Sequence, residues 1–136
     1  MKPTSVLDKY VKPKRDEVGP SEDTDEPDDF GAFGWLRGSH ERAVMLELRR
    51  KDGSMTAFGY SWLERVDFDP SEGITLKVAG ATVKITGRNL NGGSQATARL
   101  CSGLVRHKVP WIQEADGTDV MYAPREATVV EQIRVT

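Results

Sequence analysis

The clearest signal along the chain is an alternation of apolar and polar positions between residues 43 and 87. Val44, Leu46 and Leu48 share one face of a first predicted strand, 43–50. Lys51-Asp52-Gly53-Ser54 follows, and its Asp-Gly step predicts a type I′ hairpin. Met55 to Tyr60 is the return strand, with Phe58 and Tyr60 on one face and a bulge or bend at Gly59. Leu63 to Asp69 alternates again, with Val66 and Phe68 inward and Asp67 and Asp69 outward. Asp69-Pro70-Ser71-Glu72-Gly73 is turn chemistry throughout. Ile74, Leu76 and Val78 form a fourth strand. Ala79-Gly80-Ala81 turns the chain into a fifth, which carries Val83 and Ile85. An antiparallel sheet curled into a small barrel would remove the exposed edges of these strands.

Beyond Gly87 the period changes. Asn91-Gly92-Gly93 breaks the pattern, and Ser94 is a candidate N-cap. Ala96, Leu100 and Leu104 recur at a spacing of four and predict a helix over 94–107, weakened by Gly103 and stopped by Pro110. Arg106, His107 and Lys108 at its end suit the helix dipole. Val109 to Gln113 reads as a strand, Asp116-Gly117 as a turn, and Val129, Ile133 and Val135 as faces of a last strand. The expected class is therefore mainly β, with five to seven strands and one helix.

The first 42 residues lack this patterning. Residues 1–15 hold five bases and one acid, whereas residues 16–29 hold eight acids and no base. Four of the seven prolines fall in the first 27 positions. So little apolar surface cannot offset the entropy of ordering the backbone, and residues 1–29 read as a disordered tail. Residues 30–42 read as an aromatic and glycine-rich linker, and 43–136 as one globular domain. In that linker Phe30, Phe33, Trp35 and Leu36 stand among glycines. They either staple the chain onto its own core or present anchors to a protein partner.

Composition narrows the chemistry. The 19 basic residues against 21 acidic ones, a net charge of −2, exclude a strongly basic nucleic-acid binder. One cysteine excludes a disulfide scaffold. No apolar run is long enough for a membrane span or a signal peptide, so a cytoplasmic location is expected. His40, His107 and Cys101 have no metal-ligand spacing, and no cofactor motif is present. Cys101, between Leu100 and Leu104, reads as a buried structural thiol. Asp67 and Asp69 lie on one strand face about 7 Å apart, without further ligands in a known pattern. Gly87 to Ser94 is a polar glycine loop that lacks the Gly-Lys-Ser/Thr ending of a phosphate-binding loop. No catalytic set can be assembled, and a non-enzymatic protein is expected.

Two stretches carry a resemblance. Phe68-Asp69-Pro70-Ser71-Glu72-Gly73-Ile74-Thr75-Leu76 and Val83-Lys84-Ile85-Thr86-Gly87-Arg88-Asn89-Leu90 are similar to the paired motifs of Sm-like proteins. The resemblance covers residues 44–90 and implies a small barrel, ring assembly by strand-edge pairing, and binding of single-stranded RNA. Asp69, Gly87 and Asn89 match the pattern. Gly73 and Thr86 stand where the family has its main base-contacting Asn and Arg. Smaller pieces look like uncharacterised small bacterial proteins.

The expectation is a binding or assembly module. For RNA, Arg88, Asn89, Arg49 and Lys84 would supply charge and hydrogen bonds, and Tyr60 and Trp62 stacking faces. For a protein partner, Phe30, Phe33, Trp35 and Leu36 would be the anchors. A third expectation is autoinhibition, with the acidic tail covering the basic strands.

Overall fold

The computed structural model describes residues 26–92 and 99–136. Of the disordered tail expected over residues 1–29, positions 1–25 lie outside the described residues, as do the Ser94 cap and Ala96; Asp28 and Asp29, expected in that tail, instead pair with Trp35 and Gly34. The chain is mainly β. Its strands are β1 (Asp28–Asp29), β2 (Gly34–Trp35), β3 (Met45–Arg49), β4 (Met55–Gly59), β5 (Leu63–Asp69), β6 (Gly73–Val78), β7 (Ala81–Arg88), β8 (Trp111–Gln113) and β9 (Val129–Val135). Two short helices, α1 (Leu100–Val105) and α2 (Gly117–Tyr122), complete it.

The strands do not close into a barrel. They form a two-stranded sheet β1-β2, a three-stranded sheet β4-β3-β8 and a four-stranded sheet β5-β6-β7-β9. The break falls at Tyr60–Trp62, a single 3₁₀ turn between β4 and β5. Tyr60 does not extend the β4 face. It drops into the core and donates its hydroxyl hydrogen to the Val109 carbonyl at 2.6 Å. Chain direction changes there, so β5 starts a separate sheet. β8 pairs parallel to β3, against the expected all-antiparallel arrangement.

β3, β6 and β7 bury the faces that the sequence marks, whereas on β5 Phe68, expected inward, is exposed and Val66 is half-buried. Leu46, Leu48, Ile74, Leu76 and Ile85 are fully buried and meet Leu100, Leu104, Val109 and Ile112 in one core. Val44 departs from its predicted face and is exposed, because it precedes β3 and only its carbonyl is used, accepting from Tyr60 N–H. The 51–53 turn is a three-residue loop with Gly53 at φ 93°, closed by Arg50 N–H to the Ser54 carbonyl, rather than a type I′ turn. Ala79 and Gly80, both at positive φ, make the β6–β7 hairpin. Gly103 is tolerated in α1 for a packing reason. A Cβ there would lie 2.6 Å from Trp35 Cζ3 and 2.7 Å from Val109 Cγ2.

Asp116-Gly117 is not a bare turn but the start of α2. Asp116 and Asp119 form a reciprocal capping box. The aromatic segment turns inward. Phe33 is 1% exposed, forms an isolated bridge with Ile112, and packs 5.4 Å from Phe30. Trp35 is buried beneath Arg106. The globule thus includes the chain from Asp28 onward.

Candidate functional site

The sheet edges differ, and that difference locates the site. An exposed strand edge offers unpaired N–H and C=O groups to any second strand. The outer side of β8 is covered by Phe33 and by Gln113 N–H donating to the Ala32 carbonyl. The outer side of β9 is closed by residues 114–115. Ile133 N–H donates to Glu114 Oε2 at 2.8 Å, and Ala115 N–H to the Val130 carbonyl. Glu114 is 6% exposed, and its Oε1 also accepts from Lys51 N–H at 2.9 Å. β5 is the edge of its sheet, but it carries Glu64, Arg65, Asp67 and Asp69 and shifts register between Leu63 and Arg65.

The edge strand β4 has no such guard. Its sequence, Met-Thr-Ala-Phe-Gly, holds no charge and no proline. The ladder fixes which groups face out. Arg50 N–H donates to the Ser54 carbonyl and Tyr60 N–H to the Val44 carbonyl. With the register Leu46↔Phe58 and Leu48↔Thr56 between them, the N–H and C=O groups of Met55, Ala57 and Gly59 point away from β3. Among the described residues no strand pairs with them.

The same residues share the outer face of the sheet with Met45, Glu47 and Arg49 of β3 and with Trp111 and Gln113 of β8. Met45, Met55 and Ala57 are exposed there, and Trp62, 63% exposed, stands at the end of β4. Met45 and Trp62 crowd the space over Gly59. A Cβ at Gly59 would lie 3.3 Å from Trp62 Cδ1 and 3.8 Å from Met45 Sδ. Toward the other end, Arg49 sits 4.6 Å over the Trp111 ring and pairs with Glu47 at 2.9 Å. A cleft of about 440 Å³ there is lined by Arg49, Arg50, Lys51 and Met55.

The sequence-marked residues are dispersed. Arg88 donates through Nη2 to the Val120 carbonyl, its Nε buried without a partner. Asn89, at φ 56°, donates to the Arg125 and Ala127 carbonyls at 3.0 and 2.9 Å. Both line a cleft of about 470 Å³ with Phe68 and Glu72, yet these donors hold the 120–127 segment. Lys84 lies on the outer face of the four-stranded sheet and pairs with Glu72 at 3.1 Å. Tyr60 is sealed in the core, stacked 4.4 Å from His107, and burial pushes its pKa well above the usual phenol range. Only Arg49 and Trp62 belong to the three-stranded sheet's exposed surface. Phe33 and Trp35 face the protein's own core instead of a partner.

Other polar groups are accounted for locally. The Ser71 hydroxyl and N–H donate to Asp69 Oδ1 and hold its pKa below the usual carboxylate range. Ser54 does the same for Asp52. Asp67 pairs with Arg65 at 2.8 Å. Cys101 is buried, which raises its thiol pKa. No group of three or more metal-ligating side chains occurs among the described residues. No helix among them is long and apolar enough to cross a membrane. An apolar cleft of about 460 Å³ lies under α2, lined by Phe30, Ala115, Tyr122 and Val129 among others.

Sequence reasoning missed Met45, Met55, Ala57 and Gly59. The signal was present as a strand of five residues without one charged gatekeeper. Comparison with protein-family models, curated proteins and solved structures found no match to this chain.

Proposed function

We propose that the chain is a non-enzymatic assembly module that pairs with a second copy of itself along β4. The observation that carries this reading is the uncharged β4 edge, unpaired among the described residues and flanked by exposed Met45 and Trp62. The other edges are covered or charged. In the antiparallel register centred on Ala57, Met55 of each copy lies across from Gly59 of the other. Its flexible thioether side chain then packs against the exposed Met45 and Trp62 side chains that flank Gly59. The outward groups of residues 55, 57 and 59 find partners, and the two three-stranded sheets become one of six. Exposed Trp and Met are favoured anchors of such an interface.

Mass measured by sedimentation over a range of concentrations tests this. The chain dimerises, and Ala57→Pro leaves a folded monomer. Proline at this outward-facing position removes an edge N–H without removing a β3–β4 hydrogen bond. A wild-type monomer at all concentrations, or an undiminished dimer in the variant, refutes the reading.

A second reading rests on Arg49 over Trp111, with Arg50 and Lys51 beside them. Basic and aromatic side chains on a sheet face suit stacked bases of single-stranded RNA. Affinity for oligouridine that falls with salt and is lost in Arg49→Ala supports it, and salt-independent or absent binding removes it.

A further inference from the structure

A second surface is set apart by charge. Residues 36–43 run along 107–108, with Leu36 N–H donating to the Lys108 carbonyl and Ala43 N–H to that of His107. This gathers Arg37, Arg42 and Arg106 into one exposed strip over buried Lys108. Arg106 lies 5.8 Å over the Trp35 ring. Lys108 is buried, and its Nζ donates to the carbonyls of Gly38 and Glu41. Burial, then Arg42 and Arg106, lower its pKa, while Glu41 opposes them. Asp28 pairs with Arg37, and Glu41 lies beside Lys108.

The chain enters the globule at this strip. Asp28 is registered opposite Trp35 and pairs with Arg37 at 3.3 Å. The stretch leading directly to it contains Asp16, Glu17, Glu22, Asp23, Asp25 and Glu26, without a base. Eleven residues, 16–26, are long enough to pass over Trp35 and reach Arg106 and Arg42. We propose that residues 16–26 dock in cis on the strip of Arg37, Arg42 and Arg106, extending the Asp28–Arg37 pair and excluding other polyanions from it. This is a contact of charge complementarity, so it is exposed to screening.

A nitroxide on Ser21→Cys in the full chain tests it, since buried Cys101 leaves the introduced thiol as the accessible one. Paramagnetic broadening of the amides of residues 39–43 and 106–108 is read at about 0.1 M and about 1 M salt. The proposal expects at least half of that broadening to disappear at high salt. It expects the same loss at low salt in Arg42→Gln/Arg106→Gln, whose amide spectrum confirms folding. Broadening that persists in both cases is mere chain proximity and overturns the proposal. So does broadening seen only between spin-labelled and isotope-labelled copies mixed together, which places the acidic stretch on another molecule.

Discussion

The β9 and β4 edges solve the same problem in opposite ways. At β9, buried Glu114 takes two backbone N–H groups, from Lys51 and from Ile133, and the edge is satisfied internally. At β4, the outward groups of Met55, Ala57 and Gly59 meet no strand among the described residues, and the flanking side chains are apolar. One edge spends a buried carboxylate on closure. The other carries none of the charges or prolines that prevent association. Edges are thus closed where the fold needs them, which gives the open one meaning.

The contrast can be broken from the closed side first. Phe33→Ala uncovers β8 and empties a fully buried site, with an expected loss of about 3–5 kcal/mol in chemical denaturation. Glu114→Ala leaves the buried Ile133 N–H and the part-buried Lys51 N–H without their acceptor and is expected to cost about 2–3 kcal/mol. Glu114→Gln, which keeps one acceptor, should lose less in the same measurement. Equal losses would mean that both carboxylate oxygens are needed, because Gln preserves the packing. Tyr60→Phe leaves the Val109 carbonyl without its donor and is expected to cost about 1–2 kcal/mol. Lys84→Ala, on the solvated face, should change stability by less than about 0.5 kcal/mol, because its pair with Glu72 is exposed.

Local pattern made much of the fold legible. Leu46, Leu48, Ile74, Leu76, Val83 and Ile85 alternate, and all are buried. The Ala79-Gly80 turn and the final strand follow from residue type. What pattern could not show is non-local. Nothing in Trp111–Gln113 announces a parallel pairing with β3, more than 60 positions earlier. Tyr60 continues an alternation but leaves it for a hydrogen bond with Val109, and that departure splits the expected barrel. α2 was hidden because Asp-Gly reads as a turn, although Asp116 and Asp119 already had capping-box spacing. Arg88 and Asn89 stood out as exposed polar residues. Their carbonyl acceptors lie 32 to 38 positions away, so their structural use was invisible in the sequence.

Amide hydrogen exchange along β4, followed as a function of protein concentration, tests the central claim most directly. The N–H groups of Thr56 and Phe58 face β3 and should be protected throughout. Those of Met55, Ala57 and Gly59 should exchange freely in dilute solution and become protected as the concentration rises. Free exchange of these three at every concentration would contradict edge pairing. Protection of all five even in dilute solution would contradict the open edge itself.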